Sequence, residues 1–318
     1  MGTESLRLSV LMSTYKGTEF VAEQLESIRT QTRVPDEVVV VDDCSPDDTV
    51  EVVRDYINDH GLGGSWHVVP NERNKGWQRN FMEGVAQTTG DIVFFADQDD
   101  VWFENKFAVY EEVLWENPDV NVVASGETKW DGEREHGRLL MGSSTFSRPS
   151  LADDAHDWYI RTAGCCMAFR RDYFDGLKGY WVDQWAHDDF LWKMGIMDRS
   201  LALLDASSIL HRFHGTNVST QKRGLRDTVD GLGLQLRVCD ALRRRLADGA
   251  VPTADKEALG RALGRMREGL GTRERAIERK NPFLTLETVL RYPEIYRRRN
   301  EPAGDVLLYF GLMRRDKE

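Results

Sequence analysis

Three carboxylates, Asp97, Asp99 and Asp100, follow directly on the apolar run Ile92-Val93-Phe94-Phe95-Ala96. A run of that length reads as a short buried strand, so the acids stand where it emerges into a loop. Carboxylates packed this closely repel one another unless water or a cation lies among them. Hard divalent ions prefer oxygen ligands from one or two carboxylates together with substrate phosphates. The plainer alternative is an acidic turn that caps the next helix. A second acidic pair ends the β-branched run Val38 to Val41 at Asp42-Asp43, and a third, Asp188-Asp189, follows His187 where a helical pattern begins. Acids in a first helical turn either serve as a proton acceptor or only complement the helix dipole.

The elements that must position these acids are legible from periodicity. Leu6 to Met12 is an apolar run ending at Ser13-Thr14-Tyr15, and Val21, Leu25 and Ile28 then recur at helical spacing. After the Val38 to Val41 run, Ser45-Pro46-Asp47-Asp48 has the chemistry of a helix start, with a capping Ser, Pro at the first position and acids in the first turn. Val52, Val53, Tyr56 and Ile57 supply that helix's apolar face. Trp66 to Val69 is a third strand, and Trp77, Phe81 and Val85 line the next helix, closed by Gly90. Strands alternating with helices at this spacing predict a mostly parallel sheet, helix-covered on both faces, with ligands outside the carboxyl ends of its strands. Those ends carry Thr14-Tyr15, Asp42-Asp43, Asn71 to Lys75 and Asp97 to Asp100. Neither GxGxxG nor GxxxxGK[ST] occurs, which disfavours a dinucleotide dehydrogenase and a P-loop enzyme.

Composition narrows the classes further. Formal charge is −11 over 318 residues. Residues through Thr220 carry 20 basic and 38 acidic side chains, and those from Gln221 onward carry 22 and 15. An acidic front part argues against a nucleic-acid groove, whereas the Arg-rich tail suits solvated helix faces, an anionic partner or a membrane surface. Cys44, Cys165, Cys166 and Cys239 form no CxxC pair and lack His at zinc-finger spacing, so they read as reduced and mostly buried. No apolar run reaches the roughly 18 residues of a membrane span, and no basic-then-apolar leader opens the chain, so a cytoplasmic location is the expectation.

Three ordered segments, LSVLMSTYKGTEFVAEQLESIRTQT, EVVVVDDCSPDDT and NKGWQRNFMEGVAQTTGDIVFFADQDDVW, resemble the nucleotide-sugar domain of family 2 glycosyltransferases. They are most similar to its bacterial rhamnosyltransferase-like branch. The resemblance covers about the first 220 residues and implies a GT-A fold: a Rossmann-like α/β domain over residues 1–220, followed by a helical extension over 221–318. It implies an inverting sugar transfer from a dTDP- or UDP-sugar, with rhamnose the favoured sugar, to a hydroxyl of a glycan, glycolipid or small metabolite. Residue by residue, it implies that Thr14, Tyr15 and Asp42 hold the nucleotide base and that Asp97 lies near the ribose. Asp99 would ligate Mg²⁺ or Mn²⁺ on the diphosphate, with Lys75 and Arg79 as further donor contacts. Solvation of Arg79 and turn-capping by Asp43 remain open.

Past the acidic loop, Phe107, Tyr110 and Leu114 mark a helix ended by Pro118, Val120 to Ala124 a strand, and residues 129–149 a polar acceptor-side loop. Thr162 to Phe169 reads as a strand whose small residues permit close approach of a ligand, and the resemblance places acceptor contacts there, at Gly164 and Cys165. Packing explains Cys165 and Cys166 equally well. In the stretch Trp181 to Trp192, His187-Asp188 resembles the family's His-Asp motif, whose second residue is the general base, with Asp189 the alternative. Trp181, Trp185 and His187 are acceptor-side candidates. His211-Arg212-Phe213-His214 resembles a segment whose His completes the metal site and whose Arg faces the diphosphate, giving His214 and Arg212. His211 occupies a position where relatives often carry Tyr, which leaves open which imidazole faces the metal.

From Leu225 the pattern becomes two amphipathic helices broken by residues 248–255. They either pack back on the catalytic domain, form a homodimer seam or, with Asp305 to Met313 and the nearby arginines, rest on a membrane as a peripheral contact. Two rivals to the glycosyltransferase reading share the sheet. A nucleotidyltransferase wants a glycine-rich basic loop after the first strand, and a non-catalytic nucleotide-sugar-binding module should lack the acids.

Overall fold

The computed structural model describes residues 6–132, 136–213, 225–249, 251 and 253–310. The chain divides into two compact units. The first comprises Met1–Pro149, Ile160–Gly179 and Ala186–His214; the second comprises Ser150–Tyr159, Tyr180–Trp185 and Gly215–Glu318.

The first unit is built on one sheet. β1 (Leu8–Thr14) lies between β2 (Glu37–Asp42) and β4 (Ile92–Ala96), with β3 (Trp66–Pro70) outside β2, and all four are parallel. Helices α1 (Val21–Arg29), α2 (Thr49–Asp59) and α3 (Trp77–Gly84) alternate with these strands, as the periodicity predicts. Every residue of β2 and β4 is buried, which is why both read as unbroken apolar runs. Beyond β4 the sheet is mixed rather than mostly parallel. β8 (Met167–Arg170) is antiparallel to both β4 and β6 (Val122–Trp130), β9 (Leu201–Arg212) is parallel to β6, and β5 (Val101–Trp102) and β7 (Phe146–Ser147) run antiparallel to β9. A parallel neighbour needs a crossover back to the opposite edge. The chain instead leaves β6 at its carboxyl end and re-enters β8 from that same edge.

The carboxyl ends of β1, β2, β4, β6 and β9 therefore share one edge with the amino end of β8. Helices α4 (Lys106–Glu116), α5 (Arg171–Leu177) and α6 (His187–Met197) complete the unit. Residues 164–166 form a 3₁₀ turn rather than the start of a strand. The predicted start of α2 also shifts. Asp48 is its N-cap, and Ser45 turns its hydroxyl to Asp42 at 2.6 Å instead of capping the helix.

In the second unit, α7 (Leu225–Ala247) and α8 (Lys256–Glu278) bury Leu232, Val238, Cys239 and Leu242 with Leu259, Leu263, Met266 and Leu270. All of these but Val238 are positions of the three-and-four spacing that the sequence displays; Leu225, Val229, Leu236 and Leu246 of the same pattern are only partly buried. Two more helices follow, α9 (Pro282–Arg291), capped by the Asn281 side chain, and α10 (Glu301–Tyr309), fastened to α8 by Arg273 on Asp305 at 2.9 and 3.0 Å. Among the described residues no helix is long and apolar enough to cross a membrane.

Candidate functional site

The loops at the sheet's carboxyl edge hold two groups of acids in opposite states. Asp42 closes β2 and is 1% exposed; its Oδ2 accepts from Thr14 Oγ1 at 2.8 Å and Ser45 Oγ at 2.6 Å, and its Oδ1 from Ser45 N at 2.8 Å. The next residue, Asp43, accepts from Asn71 Nδ2 at 3.1 Å, Lys75 N at 2.7 Å and Gly76 N at 2.8 Å. Gly76 has φ +84°, a left-handed conformation in which other residues are strained, and it delivers the chain into α3. Asp43 is thus the organiser of the 71–76 loop, a turn-capping role. Tyr15 is 42% exposed beside this pair, and its N–H and C=O are clasped by Gln98 at 2.8 and 3.1 Å, tying the loop after β1 to the loop after β4. Lys75 and Arg79 both reach Glu83, at 3.0 and 3.5 Å.

The acids after β4 are underserved by comparison. Burial, then the charge of Asp99, pushes the Asp97 carboxyl up to about 6. Asp100 is 1% exposed and is driven well above the carboxylate range by burial and then by Asp97 and Asp99. Its Oδ1 takes a long bond of 3.3 Å from Arg212 N, and its Oδ2 has no hydrogen-bond partner among the described residues. The acids' cationic neighbours are His211 and Lys106. A hydrogen bond to Glu127, whose oxygen lies 2.9 Å from Nδ1, is the chief cause that raises His211 to about 9, with Asp100 and Asp97 adding to it. Lys106 is fully buried with its Nζ 3.5 Å from the Trp102 ring centroid, and burial lowers it to about 8.

Asp188 occupies the first turn of α6. Burial, then the charge of Asp189, raises its carboxyl to about 7, and Asp97 acts in the same sense. Asp189 by contrast is closed off in an ion pair with Lys193 at 2.5 Å.

Several expected contacts are placed elsewhere. His187 is not on an acceptor surface: its ring is 4% exposed, stacked on Phe81 at 3.9 Å and edge-on to Phe95 and Trp77, with both nitrogens unpartnered among the described residues. Burial alone lowers it to about 3, so it is a neutral core ring. The approach that requires glycine at position 164 is this same imidazole, since a Cβ there would lie 2.3 Å from His187 Nε2. Ligand approach is not the reason for that residue. Cys165 is fully buried, and its Sγ lies within 4.8 Å of oxygens of both Asp97 and Asp100. Arg212 is 6% exposed, layered between Phe20 and Trp130, paired with Glu23 and bonded to the Asp99 carbonyl at 2.9 Å. It therefore braces the acidic loop from below rather than presenting a free charge. Trp181 and Trp185 fall in the second unit, where Trp185 is 1% exposed and its carbonyl accepts from Trp181 Nε1 at 2.8 Å. His214 lies outside the described residues.

Sequence reasoning missed Gln98, Glu127 and Lys106, whose bonding partners Tyr15, His211 and Cys165 come from distant stretches of chain. It placed Asp100 in the acidic cluster but gave it no role of its own.

The arrangement has recognisable relatives. A profile of "Glycosyl transferase family 2" matches residues 9–177. An uncharacterized glycosyltransferase of Nostoc sp. is 26% identical over 225 residues, 67% of this chain and 66% of that one. The poly(ribitol-phosphate) β-N-acetylglucosaminyltransferase TarS of Staphylococcus aureus is 36% identical over 97 residues, 30% of this chain and 16% of TarS. The aligned region thus spans about two-thirds of the first relative and a sixth of the second. The crystal structure of S. aureus TarS 1-349 with UDP-GlcNAc superposes with a TM-score of 0.61 at 20% identity, covering 91% of this chain and 92% of that one. A mannosyltransferase from Pyrobaculum calidifontis, solved with GDP-Man and Mn²⁺, gives 0.51 at 17% identity over 98% and 86%.

Proposed function

The chain belongs to glycosyl transferase family 2 and has the GT-A fold, and we propose that it is an inverting enzyme in which Asp188 takes the proton of an acceptor hydroxyl. One observation carries this reading: Asp188 is a carboxylate near the acidic loop, unpaired with any lysine or arginine in the bonds described, whose proton affinity burial has moved to about 7. A general base works best when its pKa lies near the operating pH. The acceptor oxygen attacks the anomeric carbon as its proton passes to Asp188. The bond from that carbon to the diphosphate oxygen breaks, and the nucleoside diphosphate leaves with the electron pair.

The acidic loop fits a divalent cation, because Asp100 keeps an unpartnered buried oxygen and Asp97 is held in a form that favours a proton or a metal ion. Asp99, with Asp97 beside it and His214 as a further ligand, would hold Mg²⁺ or Mn²⁺, which when bound supplies positive charge for the departing diphosphate. Thr14, Asp42 and Tyr15 form the base-holding wall, with the Thr14–Asp42 bond fixing its shape. Lys75 and Arg79 stand on the loop and helix beyond it as cationic donor contacts. Arg212 serves by holding the Asp99 main chain in place.

A UDP-sugar is the first donor to test, since TarS 1-349 is solved with UDP-GlcNAc. A dTDP-sugar such as dTDP-rhamnose, to which the branch resemblance points, is the second arm. Glycan, glycolipid and small-metabolite acceptors remain the classes to screen. Once a donor is found, Asp188→Asn should lower turnover by about 10²–10⁴-fold with nucleotide affinity unchanged, and the rise of activity with pH near 7 should vanish with it. Asp189→Asn should do less. Near wild-type turnover in Asp188→Asn would dismiss the assignment.

A further inference from the structure

Cys165 has surroundings that packing alone does not require. Its thiol is fully buried, yet its Sγ and an oxygen from each of Asp97 and Asp100 lie within 4.8 Å of one another. Asp97 is the least buried member of the group. The Asp100 carboxylate is 1% exposed with its Oδ2 unpartnered among the described residues. The Cys165 thiol hydrogen-bonds with the carboxyls of both Asp97 and Asp100, and an Oδ2 left outside those bonds is costly unless it carries a proton or meets a cation. The charges that face this group are the carboxylates Asp97, Asp99, Asp100 and Glu127 and the cations Lys106 and His211. Arg212 is paired with Glu23.

We propose that Cys165, Asp97 and Asp100 form a thiophilic metal site that takes Zn²⁺, or Co²⁺ and Cd²⁺ as its congeners, through one thiolate and two carboxylates. The donor set selects the ion. Oxygen ligands alone suit Mg²⁺ and Mn²⁺, whereas a thiolate favours zinc and softer ions. Three protein ligands leave the fourth position of a tetrahedral ion to water. Binding turns the Cys165 thiol into a thiolate and displaces the proton that burial favours on the acids, both protons passing to solvent, with no change of oxidation state. Cys166 does not substitute for its neighbour, because its Sγ is directed to the Gly126 carbonyl at 3.5 Å. The site shares Asp97 with the loop assigned to the catalytic cation, so zinc here should oppose Mn²⁺-supported turnover. That consequence alone rests on the functional reading.

The test is a Co²⁺ titration of the reduced full-length chain, followed by the thiolate-to-cobalt charge-transfer absorption. A band that saturates at one Co²⁺ per chain and is displaced by Zn²⁺ is expected. It should disappear in Cys165→Ser and persist in Cys44→Ser, Cys166→Ser and Cys239→Ser. Asp100→Asn should weaken Zn²⁺ binding by at least about tenfold in calorimetry. The proposal is overturned if the folded wild-type chain gives no band, if the band survives Cys165→Ser, or if it is lost with Cys44. Should Cys165→Ser fail to fold, unchanged Zn²⁺ affinity in Asp100→Asn overturns it equally. The absorption is read without donor or acceptor, so a failure of sugar transfer leaves this result independent.

Discussion

The ends of β2 and β4 make a natural experiment within one sheet. Both strands are fully buried, both flank β1 in parallel, and both end in adjacent or near-adjacent aspartates. At the end of β2, Asp42 and Asp43 together receive six hydrogen bonds from hydroxyl, amide and backbone donors, each 3.1 Å or shorter. At the end of β4, Asp100 has one long bond and an orphaned oxygen, and Asp97 is pushed up to about 6. The same residue type at equivalent positions thus builds a rigid wall in one case and an electrostatic demand in the other. Carboxylates fed by several donors have their oxygens satisfied. Those buried beside like charges await a proton or a cation.

The comparison is broken most directly through stability. Asp43→Ala removes the acceptor of Asn71 Nδ2, Lys75 N and Gly76 N at once. It should cost about 2–4 kcal/mol in denaturant melts. A loss below half a kilocalorie would mean that water replaces the carboxylate and that this end of the sheet is no more satisfied than the other.

Proton linkage sharpens the contrast. Asp97 has a folded pKa of about 6, above its ordinary 3.8, so between those values the native state binds more protons than the unfolded chain. Its contribution to stability is fully present below pH 3.8 and is lost as pH rises through 6. Asp97→Asn should therefore flatten the fall of stability over that window, gaining about 1–3 kcal/mol over the wild-type chain at neutral pH. Melting curves at several pH values check it, and saturating Mn²⁺ should narrow the gap by binding the wild-type chain. An identical pH slope in the two proteins would place Asp97 among the satisfied acids.

The smallest effect belongs to His187. Its ring makes aromatic contacts with Phe81, Phe95 and Trp77 and no hydrogen bond among the described residues. His187→Phe should leave stability within about 1 kcal/mol in the same melts. A raised acceptor KM in a folded His187→Phe protein would return this residue to the acceptor site.

How much of this was readable follows the range of the interactions. The order of strands and helices through α4, save the two-residue β5, the acids at the strand ends and most of the amphipathic faces of α7 and α8 depend on spacing within one element, and sequence periodicity displays that. The family resemblance rested on the same short segments and found the fold. The direction of β8 was not readable, because it depends on which edge the chain re-enters after a long excursion. Ser45 read as a helix cap, yet the nearer demand was the Asp42 carboxylate three residues back.

By itself, then, the sequence determined that acids stand at the ends of buried strands and at the start of α6. Tertiary structure decided what each acid is. Asp42 meets Thr14 from 28 residues away, and Asp100 meets the Arg212 backbone from 112 residues away. Asp188 and Asp189 are neighbours in one helical turn, yet Lys193 on the same helix neutralises one while burial raises the other. A side chain's type is a local fact. Its protonation and its partner are set by desolvation and by charges that only the folded chain brings near, because both decay over a few ångströms of space regardless of distance along the chain.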